Sequence, residues 1–251
     1  MITMPFFVFV SGEVMRMIGM LAVASAVVLS GCGGDDDDVE DLLRAPASLY
    51  FHNQLTDFTA PDAASIRVDV VTNKASDPLF EDVGYSTDEQ GGMNLKLDAD
   101  TETVNFQPRR STVDLPDKDI SLAAGGNYTL VLMGDLADSS PLLNAFRQET
   151  PSVMASNVGV RFIHAMSQQA GIAFSIGTIP DLQYGKATAY FSDTPNGSSR
   201  LEVEVKDAAD DSLIATVSCP VQAGKVYDAI ITHKGFADPD MAMFCQQVEG
   251  S

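Results

Sequence analysis

Leu201-Glu202-Val203-Glu204-Val205-Lys206 decides the fold class. Apolar and charged residues alternate one by one, so Leu201, Val203 and Val205 share one face and the charges share the other. Such a period of two marks a half-buried strand. Leu213-Ile214-Ala215-Thr216-Val217-Ser218-Cys219 repeats the pattern after the turn-forming acids Asp207 to Asp211. Working outward, Ser48–His52, Ser65–Val71, Asn127–Met133, Val158–His164 and Val226–His233 are further strand candidates. Short strands punctuated by Gly, Pro and Asp, with no convincing amphipathic helix, predict an all-β chain of immunoglobulin-like antiparallel β-sandwiches. Leu142–Arg147, preceded by Ser140-Pro141, is the one stretch that could start a helix.

An internal repeat settles that stretch and sets the domain plan. Ala124-Gly125-Gly126-Asn127-Tyr128 matches Ala223-Gly224-Lys225-Val226-Tyr227, and Gly134-Asp135-Leu136 matches Gly235-Phe236-Ala237. Leu49-Tyr50-Phe51-His52 aligns with Arg161-Phe162-Ile163-His164, placing His52 and His164 at equivalent strand ends. Ala145-Phe146-Arg147-Gln148 aligns with Met243-Phe244-Cys245-Gln246, so Leu142–Gln148 is expected to be a final strand like its counterpart. The order is the same in both halves, which predicts two tandem modules at 47–150 and 156–251. Cleavage at Pro151-Ser152-Val153-Met154 should release two folded halves if the interface between them is small.

Three segments of the second copy carry a family resemblance. Val160-Arg161-Phe162-Ile163-His164-Ala165, Tyr184-Gly185-Lys186-Ala187-Thr188-Ala189-Tyr190 and Ala223-Gly224-Lys225-Val226-Tyr227 resemble the domain-of-unknown-function family numbered 4397. That family occurs, often in tandem, in secreted or anchored bacterial proteins. In the first copy Val83-Gly84-Tyr85 is the remnant of the middle segment, and the hairpin lacks its Lys. The resemblance implies a fold and a setting but no reaction.

Of 251 residues, 35 are acidic and 15 basic, a net charge of −20. Nucleic acid is therefore not an expected partner, since phosphate binding needs clustered Lys and Arg. The same acidity disfavours docking of the folded surface on anionic lipid. A hydrophobic share of 45% is too high for disorder.

The apolar run Met17 to Leu29 follows Arg16 and ends in Leu29-Ser30-Gly31-Cys32. It is too short for a bilayer span, which needs about 20 residues, and fits a signal peptide over 1–31. Its end resembles the lipobox of bacterial lipoproteins, which implies that Cys32 is acylated and anchors the protein in a membrane. Met1–Val14 carries Glu13 and no positive charge, so Met15 is the better start. Residues 32–46 then form an acidic tether containing Asp35-Asp36-Asp37-Asp38. Gly33, where an Asp would signal inner-membrane retention in enterobacterial lipoproteins, points to the outer membrane. The protein would face the periplasm or the cell surface.

The candidate chemistry is thin. His52 and His164 have no visible partner constellation, so each is read first as an imidazole serving a neighbouring loop. Ala173-Phe174-Ser175-Ile176-Gly177 imitates a nucleophile elbow, but no helix follows it. Asp98-Ala99-Asp100-Thr101-Glu102 alternates carboxylates like a calcium loop yet lacks the required later Gly and Glu. Asp207, Asp210 and Asp211 form a second acidic turn, and Asp193-Thr194-Pro195-Asn196-Gly197 an end loop able to make contacts. No metal or cofactor is expected. Cys219 and Cys245 share the second module in an oxidising compartment and are expected to pair, with Ile120 and Arg147 at the corresponding places of the first. The functional expectation is a non-catalytic envelope lipoprotein that binds an envelope protein or a glycan. An envelope hydrolase using His164 or Ser175, and a calcium-dependent or glycan-binding adhesin, are the alternatives.

Overall fold

A computed structural model describes residues 44–250 apart from 60–65, 87–89, 112, 138–140, 198 and 249. The signal-like segment, Cys32 and nearly all of the tether lie outside the described residues. Nine strands precede the segment around residue 151: β1 (Ala47–Thr56), β2 (Val68–Thr72), β3 (Ala75–Val83), β4 (Met93–Leu95), β5 (Thr101–Arg110), β6 (Val113–Asp114), β7 (Lys118–Ala123), β8 (Asn127–Asp135) and β9 (Leu142–Arg147). Eight follow it: β10 (Val158–His164), β11 (Phe174–Ile176), β12 (Ile179–Leu182), β13 (Phe191–Asp193), β14 (Arg200–Asp207), β15 (Leu213–Pro220), β16 (Val226–Gly235) and β17 (Asp238–Gln247). Ser167–Gln169 is a single 3-10 turn, and Leu142–Arg147 is a strand.

The strands form four sheets. The first half has an inner sheet ordered β4-β1-β8-β9 and an outer one ordered β3-β2-β5-β6, with β7 also paired to β5. The second half repeats this with β13-β10-β16-β17 and β12-β11-β14-β15. Leu49, Phe51, Leu130 and Leu132 of the first inner sheet pack on Val70, Val104 and Phe106 of its outer sheet. Val160, Phe162 and Ala229 pack in the same way on Phe174, Leu201 and Val205. The alternating stretch 201–206 lies in β14 with Leu201 and Val205 inside and Glu202 and Glu204 exposed.

Among the described strands pairing is antiparallel except at the centre of each inner sheet, where β1 runs parallel to β8 and β10 to β16. A parallel neighbour needs a long crossover. Here the outer sheet supplies it. The repeated segment expected to be a hairpin is in each copy the turn that carries the chain from the outer to the inner sheet, and both copies close it with the same device: the Tyr128 hydroxyl takes the Ala123 N–H at 2.7 Å and Tyr227 takes that of Gln222 at 2.9 Å. That contact is why both turns keep the tyrosine five residues on.

The register corrects the sequence alignment of the two copies. Ser48 pairs with Asn127 and Gly159 with Val226, so with the turns offset by 99 the first strands are offset by 111. His52 therefore corresponds to Ile163, and His164 corresponds to Asn53. In the last strands Ala145 pairs with Leu130 and Cys245 with Ala229, which makes Ala145, rather than Arg147, the counterpart of Cys245.

Cys219 and Cys245 are joined, with their Cα atoms 5.8 Å apart. The bond ties β15 to β17 along one flank of the second sandwich. Replacing both cysteines with alanine should lower the unfolding free energy by about 3 kcal/mol in the chain-entropy picture, read from urea denaturation of oxidised protein.

The two inner sheets also face one another. β1, β8, β10 and β16 are buried on both faces, because residues pointing away from their own cores meet the other sandwich. Val131, Met133, Ile163, Ala165, Ile230 and Phe244 form a third apolar cluster there. The interface is therefore not small. A chain nicked at 151–154 is expected to elute from gel filtration as one particle, and separation of the halves without denaturant would contradict this seam.

Candidate functional site at the seam between the sandwiches

The family-like segments of the second copy converge on a buried carboxylate. Arg161, on β10, points away from its own core and sends Nε and Nη2 to Asp228 on β16 at 2.9 and 2.7 Å. The Tyr190 hydroxyl donates to the same carboxylate at 2.5 Å, and the Arg161 guanidinium lies 4.5 Å from the Tyr190 ring centroid. The fourth donor comes from the other sandwich: Thr129 Oγ1, itself held by Gln148 Nε2 at 2.9 Å. Arg161 Nη1 also crosses the seam to the Arg147 carbonyl at 2.7 Å. A charge pair removed from water needs this degree of saturation to be tolerated. Burial and the neighbouring Asp228 charge push the Tyr190 hydroxyl well above the usual phenol range.

The remaining motif residues hold the same region. Thr188 Oγ1 accepts the Phe162 N–H at 3.0 Å, and the Tyr184 ring meets His164 edge-on with centroids 5.4 Å apart. Gly185 has φ of 71°, which favours glycine, and an added side chain there would also have to displace the Leu142 tip across the seam.

Further along the seam, Thr232 Oγ1 donates to Gln54 Oε1 at 2.8 Å, and the Tyr85 hydroxyl donates to the His233 carbonyl at 2.6 Å. Thr56 and Ser167 join hydroxyls at 2.8 Å. Under the corrected register Thr129 corresponds to Asp228, Thr56 to Ser167 and Val131 to Ile230. Two pairs that meet across the seam, Thr129 with Asp228 and Thr56 with Ser167, are thus each other's counterparts. The two sandwiches pack about an approximate two-fold axis running between them.

All three histidines are buried, in different surroundings. His52 faces the seam, 5.0 Å between centroids from Phe244, and among the described residues neither ring nitrogen has a partner in hydrogen-bonding geometry. Burial pulls its pKa down to about 3, with Gln246 acting weakly the other way. His164 lies on the core face of β10, stacked on Phe174 at 3.7 Å. Its Nδ1 accepts the Met166 N–H at 3.3 Å, which leaves Nε2 to donate to the Ile172 carbonyl at 3.2 Å. Asn53 does the same in the first copy, accepting the Leu55 N–H and donating to the Ile66 carbonyl. Burial lowers His164 to about 4 and also lowers His233. His233 Nε2 lies 3.2 Å from Ser167 Oγ and its Nδ1 3.3 Å from the Pro239 carbonyl.

The other candidates are not brought together. Ser175 lies in β11 paired with Lys206, and its neighbours Phe174 and Ile176 point into the core, so it faces away from His164. It lines an open cleft of about 470 Å³ with Ser192, Asp193, Glu202 and Lys206. Asp98 and Glu102 both take the Lys74 ammonium, and Asp100 takes Arg44. Asp207 and Asp210 accept the N–H groups of Ala209 and Ser212 within their own turn, and Asp211 lies 3.5 Å from Lys206. Asp193 accepts the Thr194 N–H. Among the described residues no group of three His, Cys, Asp or Glu is placed to hold a metal ion.

Residues 59–174 match the family described as Domain of unknown function, DUF4397. Over that span the chain is similar to DUF4397. The match takes in Tyr85, the 124–128 turn and the Arg161–Ala165 strand, whereas Tyr184–Tyr190 and Ala223–Tyr227 lie beyond it. No curated protein matches the chain. Among solved structures, one described as alpha-glucan binding by a streptococcal virulence factor aligns at 11% identity over 79% of this chain and 97% of that chain, with a TM-score of 0.25.

Sequence reading missed Asp228, Thr129, Gln148, Ser167 and His233 as seam residues. Asp228 left a signal: it is the one charge in the apolar run Val226-Tyr227-Asp228-Ala229-Ile230-Ile231, where only a buried partner can accommodate it.

The histidines set a pH dependence. Their folded-state pKa values lie below the unfolded 6.5, so the unfolded chain binds more protons as pH falls through that window. Stability from this source is full above about pH 6.5 and declines towards pH 3. For His52 the decline is about 1.4 kcal/mol per pH unit. His52→Leu should flatten the slope of unfolding free energy between pH 6 and 4 by about one proton. An unchanged slope would show that His52 is not held neutral.

Proposed function

We propose that this is a non-catalytic cell-envelope lipoprotein, anchored in the outer membrane through Cys32, that presents two rigidly joined sandwiches as a binding module for an envelope protein or glycan. The observation that carries this reading is the commitment of Arg161, Tyr190, Gly185 and His164 to internal contacts. Arg161 and Gly185 are buried in the seam, the half-buried Tyr190 commits its hydroxyl to Asp228, and His164 caps its own loop. Side chains arranged in this way favour a stiff platform. The acidic segment 33–46 supplies reach of about 50 Å between anchor and platform if fully extended. The charge of −20 favours solubility and repels anionic polymers. The carboxylates of the two acidic turns are engaged by Lys74, Arg44 and local N–H groups, which weighs against a calcium-dependent adhesin.

One contact favours the hydrolase as a second reading. Ser167 Oγ stands beside His233 Nε2 while His233 Nδ1 is oriented by a carbonyl, the order of roles found in a nucleophile–base pair. Against it, His233 is fully buried and Ser167 also bonds Thr56.

Two measurements separate these readings. Wild-type protein should fractionate with membranes and yield an acylated N-terminal peptide beginning at Cys32, and Cys32→Ser should be released without acyl mass. Membrane retention of Cys32→Ser would defeat the anchor. On a panel of ester, peptide and glycan substrates, turnover lost in Ser167→Ala or His164→Ala would overturn the non-catalytic reading.

A further inference from the structure

The two sandwiches differ on one flank. In the second, the edge strands β15 and β17 run eight and ten residues and are bonded through Cys219 and Cys245. In the first, the equivalent edges β7 and β9 are six residues each, with Ile120 and Ala145 at the cysteine positions. Between them lies an open groove of about 500 Å³. Among the described residues no strand pairs with the outer edge of either. Both edges thus leave backbone N–H and C=O groups unpaired beside a gap between sheets.

The groove has a definite chemistry. Ile120 and Leu122 face inward from β7, and Ala145 lies opposite, giving an apolar floor. Lys118 shares their side of β7 and opens the strand. Arg147 ends β9 and pairs with Tyr128, whose hydroxyl takes the Ala123 N–H at the far end of β7. Two cations therefore bracket a length of about 17 Å, five strand residues at 3.4 Å each. The side chains of Lys118 and Arg147 have no carboxylate partner among the described residues, in a chain with more than two acids for each base. Asp119, the groove's carboxylate, lies on the alternate face of β7 and takes Asn105 Nδ2 at 2.8 Å.

We propose that the open flank between β7 and β9 accepts, as an added strand, an extended segment of a partner protein whose inward-facing positions are apolar in the middle and acidic at both ends. Main-chain bonds to β7 would supply pairing, apolar side chains would enter the gap between sheets, and carboxylates on that same face, about four to six residues apart, would meet Lys118 and Arg147. The proposal rests on the reading of the protein as a binding module and names the chemistry of what is bound.

The test uses residues 32–251 carrying Cys32→Ser and two capped seven-residue peptides, one of sequence Glu-Thr-Val-Thr-Val-Thr-Glu and the other with Lys in place of both Glu residues. The Glu peptide should bind and should slow amide exchange at 118–123, while the Lys peptide should not. Lys118→Glu with Arg147→Glu should weaken the Glu peptide at least tenfold. Ile120→Cys with Ala145→Cys, once oxidised, should close the flank and abolish binding, and reduction should restore it. Equal binding of both peptides, protection elsewhere, or no binding of either would overturn the proposal. So would binding that appears only after residues 32–43 are removed, which would assign the flank to the chain's own acidic segment. Each of these failures leaves the membrane-fractionation and turnover results untouched, so the two readings fail separately.

Discussion

The Asp228 carboxylate, closed off from water between two sheets, is the constraint on which the architecture turns. It accepts hydrogen bonds from Arg161, Tyr190 and Thr129, which come from β10, the 184–190 segment and the opposite sandwich. Those three pieces are separate in sequence and meet only in the finished molecule. Removing one partner of such a buried pair leaves an uncompensated charge and costs about 3–5 kcal/mol. The carboxylate therefore does little for gross stability against an apolar substitute, but it discriminates strongly against any other registration of the two halves.

Around that point the seam is built from counterparts. Val131 meets Ile230 and Thr56 meets Ser167, as expected where two similar surfaces associate face to face. The symmetry is broken at the polar centre: Tyr50 and Thr129 stand where the second copy has Arg161 and Asp228. Two identical surfaces would place two carboxylates together on the axis. A Thr against an Asp removes that repulsion, so divergence of the copies at this site suits them to pair with each other.

Much of the fold was legible in the sequence. Strands with one solvated face, such as β14 and β15, alternate cleanly, and the turn repeat with its tyrosine located the two copies. The first strands could not be placed so well. β1 and β10 are buried on both faces, so their apolar run carries no alternation to say which side is which. Aligning them on the histidines slipped the match by one residue, although Phe51 and Phe162 are true counterparts, and a slip of one exchanges the faces. That is why His52 and His164 looked alike while one points into the seam and the other into a core. The seam itself was not legible, because nothing in a buried strand distinguishes a neighbouring sheet of its own module from one of another.

The parallel pairing of β1 with β8 bears on how the chain becomes structured. Ser48 finds its partner at Asn127, and Gly159 finds its partner at Val226, so each inner sheet waits for nearly a whole module to be available. Contacts of such long sequence separation demand loop closure before they return any energy, which slows folding relative to hairpin-built sheets. The outer strands, joined mostly to near neighbours, can form first. The first strand of each copy therefore stays without its parallel partner until the end of its module arrives, and until then it is an apolar ribbon exposed on both sides.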